Sequence, residues 1–89
     1  MKALVNGQVF TPTPIKGDGV VLIDGDRIAA VGSAQEIQVP SDAEVIDVGG
    51  RRITPGLIDI HIHGVLGHNC MGAEVAEVAG ALPRFGVTA

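Results

Sequence analysis

The chain has 89 residues, 46% of them hydrophobic and 18% charged, with a formal net charge of −4 at pH 7. This is the balance of a folded domain, and a chain this short makes at most one small domain that buries about 60% of its unfolded surface. No basic cluster exceeds Arg51-Arg52, which excludes the cationic face that nucleic acid or an anionic membrane requires.

Phe10 and Phe85 are the only aromatic residues, so the core is expected to be built from Val, Ile, Leu and Ala. The single cysteine, Cys70, excludes an intrachain disulfide. No apolar run follows Met1-Lys2-Ala3 as a secretory h-region would, and none reaches the length of a membrane span, so a cytoplasmic location is the simplest expectation.

The first half reads as short strands joined by tight turns. In "ALVNGQVF", Asn6-Gly7 separates two apolar pieces, and this dipeptide is the strongest short hairpin signal because both residues tolerate positive φ. Thr11 to Gly19 is loop, with two prolines that remove backbone donors. Val20 to Ile23 and Arg27 to Val31 form a second hairpin around Asp24-Gly25-Asp26. Ser33 stands three residues before Glu36, a capping-box spacing that predicts one helical turn ended by Pro40. A further strand, Val45 to Val48, is closed by Gly49-Gly50.

The character changes after Pro55-Gly56. "LIDIHIH", Leu57 to His63, alternates as a strand, and a glycine-rich loop, "GVLGHNCMG", follows it. From Ala73 to Phe85 the apolar residues Val75, Val78, Leu82 and Phe85 recur at helical spacing. Pro83 is expected to kink or end that helix, and Gly86 suits its C-cap. Val87 to Ala89 reads as the start of another strand, so one β-loop-α unit is expected to open a larger parallel architecture that the chain leaves incomplete.

Along a strand, residues i and i+2 share a face. Leu57, Asp59, His61 and His63 are thus expected on one side and Ile58, Ile60 and Ile62 on the other, the aliphatic side suiting a covering helix. Two imidazoles and a carboxylate are costly to bury without partners. Imidazoles about 7 Å apart along the backbone can converge on one metal ion, for which neutral imidazole nitrogen is a natural ligand. His61 and His63 are therefore the candidate metal ligands, at the strand end where parallel α/β proteins place their sites. Asp59 sits deeper and is the candidate for holding a histidine or a backbone group.

"PGLIDIHIHG", with the preceding "GVVLIDGDRIAAVGSAQEI" and "AEVIDVGGRRITPG", resembles the amidohydrolase superfamily of metal-dependent hydrolases. The resemblance implies an α/β protein: residues 1–54 as the N-terminal part of a β-sandwich-like module, and 55–89 as the first strand, loop and helix of a (β/α)₈ barrel. It assigns His61 and His63 as metal ligands, with zinc or iron as the expected metal and one or two ions in a complete site. Gly64 and Gly67 followed by Met71 look like the loop of N-acetylglucosamine-6-phosphate deacetylases, implying an amino-sugar phosphate substrate and a homodimer at full length. Cyclic-amide hydrolases such as dihydroorotases and hydantoinases share the His-x-His pair and form the alternative; a non-catalytic β-rich binding module is a third.

The superfamily's remaining ligands and its catalytic aspartate come from later strands, so no catalytic residue is expected within this chain, and the 89 residues alone are expected to be inactive. His68 is a substrate-contact candidate at the mouth of such a site, although a lone loop histidine more often faces solvent or caps a helix. Asn69 fits a helix N-cap, and Cys70 fits buried filler because no adjacent base would activate it.

Overall fold

The computed structural model describes all 89 residues, Met1–Ala89, and they divide into two compact units, Met1–Thr54 and Pro55–Ala89, where composition had pointed to one small domain. The chain is α/β, with a mixed sheet of short strands and one α-helix.

The first unit is built on β1 (Lys2–Val9). One edge of β1 pairs antiparallel with β2 (Gly19–Asp24), which pairs in turn with β3 (Arg27–Ser33). The other edge pairs in parallel with β4 (Glu44–Asp47) along residues 2–5 and with β5 (Arg52–Ile53) along residues 8–9. The β2–β3 hairpin forms where the sequence places it, with Gly25 at φ 59° in the turn.

Asn6-Gly7 does not make the expected hairpin; β1 runs straight through it. The residues on its two sides cannot fold back on each other because both already have partners, in β4 and β5. The dipeptide instead makes a bulge, with Asn6 at φ 55° and a register shift against β2 between Leu4 and Gly7. On the opposite edge Gly49 and Gly50, at φ 62° and 76°, form a turn between β4 and β5. The Gly50 N–H donates to the Asn6 carbonyl at 2.7 Å. The Asn6 amide and the Gly49 N–H both donate to Asp47 Oδ1, at 2.8 and 2.7 Å.

The core lies on one face of the sheet. Ala3, Val20 and Leu22 are buried there, with Val5, Ala30, Ile37, Val39 and Ala43 packed against them, so the segment after β3 forms the cover. Its first turn is set by Ser33, whose carbonyl accepts from the N–H groups of Glu36 and Ile37, while the Ser33 hydroxyl donates to Glu36 Oε2 at 2.9 Å. Register aligns Leu4 with Val21, Val31 and Ile46, and of these Val31 and Ile46 remain exposed. The residues of this unit supply one sheet, whose Ala3, Val20 and Leu22 face is covered by a loop rather than by a second sheet.

In the second unit Leu57 to His63 is not a regular strand. Leu57 makes one parallel bridge, to Val87. The Leu57 N–H donates to the Gly86 carbonyl at 2.7 Å, the Thr88 N–H to the Leu57 carbonyl at 2.9 Å, and the Asp59 N–H to the Ala89 carbonyl at 2.8 Å. Beyond that point the segment has no neighbouring strand, and the chain bends at Ile60 and His63. The aliphatic face expected to meet a helix is uncovered: Ile58 is 73% exposed and Ile60 95%.

The glycine-rich loop holds a small hairpin that its composition does not reveal, β6 (Gly64–Val65) and β7 (His68–Asn69). Leu66 and Gly67, at φ 51° and 80°, form its two-residue turn, and positive φ at both positions matches the twist of a hairpin. Helix α1 (Val75–Ala81) follows and buries Val78 and Ala81. A 3₁₀ turn, Leu82–Phe85, continues it with Pro83 in its first positions, where the missing N–H costs nothing, and Gly86 ends it at φ 81°.

Two stability measurements check this account. A Cβ at Gly7 would lie 2.5 Å from Val48 Cγ2 and 2.7 Å from Ile53 Cδ1, so Gly7→Ala is expected to cost about 1–3 kcal/mol, read as a lower urea midpoint. Asp47 is held below the usual carboxylate range, first by the Gly49 N–H and then by the Asn6 amide. A lowered folded-state pKa gives stability that is present above the unfolded value and is lost as pH falls through the folded one. Asp47→Asn is therefore expected to lower the urea midpoint at pH 7, and the gap to wild type should close as pH drops below about 4.

Candidate metal site

The sequence-predicted ligands come together. His61 Nε2 and His63 Nε2 stand 2.9 Å apart, with the rings edge to face, their centroids separated by 4.9 Å and their planes inclined at 62°. The i, i+2 spacing puts both imidazoles on one side even though the ladder of a full strand is missing. Two bare nitrogen lone pairs at that distance repel, so a proton on one ring or a cation shared by both has to lie between them. The spacing also falls in the range of two neighbouring nitrogen ligands on a cation that binds each at about 2.0–2.1 Å, so the donor set fits a divalent metal. Both side chains are exposed, and no third His, Cys, Asp or Glu gathers with them into a metal-holding group.

The segment carrying the pair is held from its two ends. Upstream, Leu57 and Asp59 take their backbone bonds from residues 86–89, and Asp59 Oδ1 accepts the His61 N–H at 3.0 Å. Asp59 thus holds a backbone group beside the pair, through a turn in which an Asp side chain bonds the N–H two residues on. Downstream, the His63 carbonyl accepts the Cys70 N–H at 2.9 Å, which closes the base of the β6–β7 hairpin.

His68 lies in that hairpin, half-buried, with Nδ1 3.6 Å from Glu74 Oε1. The Asn69 N–H donates to Glu74 Oε2 at 3.1 Å, and Asn69 Oδ1 accepts the Met71 N–H at 2.7 Å. Asn69 therefore caps the loop that precedes α1 rather than the helix itself, and Cys70 is half-buried and unpaired. Glu74 is the residue that sequence reasoning passes over. Its signal is a lone acid at the start of the helical pattern, five residues after Asn69, and nothing in that spacing announces a reach back to the hairpin.

With this geometry in view, the relatives narrow the class. No family model matches the chain. It is similar to an imidazolonepropionase of Bacillus cereus, 41% identical over 76 residues, which is 85% of this chain and 17% of that protein. It is also similar to an imidazolonepropionase of Rhizobium rhizogenes, 46% identical over 67 residues, or 71% of this chain and 16% of that protein. An enamidase of Eubacterium barkeri is 38% identical over 60 residues, or 67% of this chain and 15% of that protein. These relatives are hydrolases. They are members of the amidohydrolase superfamily, and this chain is homologous to their N-terminal part. The chain spans about a sixth of the length of the curated relatives it matches.

Asp59→Ala removes the acceptor of the His61 N–H, and exchange of that amide is expected to quicken about fivefold, as for the loss of a net hydrogen bond of about 1 kcal/mol, while Asp59→Asn keeps most of the protection. Amide exchange followed by NMR reads both variants.

Proposed function

We propose that this chain is the N-terminal part of a metal-dependent hydrolase of a cyclic amide, with His61 and His63 as its first two metal ligands. The observation that carries the reading is the convergence of the two Nε2 atoms at 2.9 Å. The names of the relatives, imidazolonepropionase and enamidase, favour a cyclic-amide substrate over an acetylated sugar. A divalent cation bound there supplies Lewis-acid polarisation of an amide carbonyl and an acidified water. The residues of this chain do the holding: each imidazole offers an Nε2 ligand atom, and Asp59 fixes the backbone at His61. Zinc or iron is the metal that imidazole ligation suits.

The same reading makes residues 1–54 the first part of a sandwich-like module and residues 55–89 the first β/α unit of a barrel. Support comes from Val31 and Ile46, aliphatic residues left exposed in register with Leu4 and Val21, and from the parallel pairing of Leu57 with Val87 across an intervening helix.

Deacetylation of an amino-sugar phosphate is the second reading, and the loop favours it. Gly64 and Gly67 frame the hairpin, Met71 follows, and a side chain at Gly64 would collide with the His68 carbonyl, so the glycine is demanded by the loop's shape.

Assay of the full-length protein on an imidazolone ring and on N-acetylglucosamine 6-phosphate separates the two. Ring opening without acetate release supports the first, and acetate release the second. In either case His61→Ala and His63→Ala are each expected to lower kcat/KM by at least about 100-fold, beyond the effect of losing an outer partner of a ligand. A double variant of wild-type activity, with no loss on chelation, would sink the metal-ligand assignment.

A further inference from the structure

We infer that Glu74 is a positioning residue for the histidine pair, acting through the β6–β7 hairpin; this rests on the reading of His61 and His63 as metal ligands. Glu74 occupies the N-cap position of α1, where a side chain ordinarily bonds the helix's own first N–H groups, yet its carboxylate makes no such bond. Its carbonyl accepts the Val78 N–H at 3.1 Å, which fixes Glu74 to the helix, and both carboxylate oxygens point away from that helix. Oε2 takes the Asn69 N–H at 3.1 Å, and Oε1 lies 3.6 Å from His68 Nδ1. One carboxylate therefore bonds one residue of β7 and stands beside the other.

The hold reaches the pair in two steps. Asn69 is the register partner of Gly64, the residue after His63, and Cys70, the residue after Asn69, donates its N–H to the His63 carbonyl at 2.9 Å. Fixing β7 fixes the hairpin base, and the hairpin base sets where the His63 backbone stands. The ladder that ties Leu57 and Asp59 upstream does not reach His63, whose backbone is secured instead by a two-residue-per-strand hairpin with a leucine at φ 51° in its turn. An exposed carboxylate–imidazole contact contributes little by itself to overall stability. The effect of Glu74 is on the order of the loop, and so on how closely the two Nε2 atoms stay converged before a cation arrives.

The test uses the 89-residue chain with Zn²⁺ alone, titrated calorimetrically, and amide exchange at Cys70 read by NMR. Glu74→Ala is expected to raise the Zn²⁺ dissociation constant about tenfold, the lower end of what losing an outer partner of a metal ligand does, and to speed Cys70 exchange. Glu74→Gln retains an oxygen that accepts the Asn69 N–H and should restore most of both. Glu77→Ala, on the same helix, should change neither. Zinc affinity in Glu74→Ala within twofold of wild type, or an equal loss in Glu77→Ala, overturns the inference and leaves the metal-ligand assignment standing. If wild type and the His61→Ala/His63→Ala double variant bind Zn²⁺ alike, the assignment itself falls and the role of Glu74 falls with it.

Discussion

Two imidazole nitrogens cannot face each other at 2.9 Å unless something positive lies between them. A proton satisfies the requirement for one pair of tautomers, and a divalent cation satisfies it with both rings neutral. Much of the second unit is arranged around keeping those nitrogens together in a stretch of backbone with few partners of its own. Residues 86–89 secure it upstream, where α1 and its 3₁₀ extension return the chain to lie parallel to Leu57. The hairpin secures it downstream, and Glu74 ties the hairpin to the helix. The helix thus serves the pair twice, once through each end.

What could be read from the sequence was what depends on near neighbours. The β2–β3 turn, the Ser33–Glu36 contact, the change of helix type at Pro83 and the left-handed Gly86 all follow from rules that operate within four or five residues. The convergence of His61 and His63 belongs with them, because the i, i+2 relation survives even where regular pairing does not. Two expectations failed for the opposite reason. Asn6-Gly7 carries a strong local signal for a hairpin, but strands about forty residues away claim the edge of β1 on both sides of it, and the dipeptide becomes a bulge. Leu57 to His63 has the alternation of a strand, but a strand needs a neighbour along its whole length, and only Val87 to Ala89 is there to pair.

The placement of Glu74 was illegible for a related cause. A carboxylate at the head of a helix normally serves the helix, and only the hairpin between Gly64 and Asn69, itself hidden within a run that reads as loop, brings two β7 residues within its reach. The superfamily was legible from "PGLIDIHIHG", whereas the substrate was not. The loop glycines pointed to a sugar-phosphate deacetylase, and the relatives carry the names of imidazolonepropionase and enamidase. A loop of nine residues records the shape of one turn; it does not record the groups that would recognise a substrate.

The order of strands in the first unit, with β1 inside the sheet and β4 and β5 sharing one of its edges, bears on how the chain is made. During synthesis β1, β2 and β3 emerge first and can form an antiparallel meander within 33 residues. Until residues 44–53 leave the ribosome, one side of β1 is an open row of backbone donors and acceptors, the kind of edge that recruits strands from other chains. Closing that side joins residues some forty positions apart, which is slow compared with forming the hairpin. The nascent unit therefore passes through an interval in which β1 is its most adhesive part, and the interval ends only when β4 and β5 arrive.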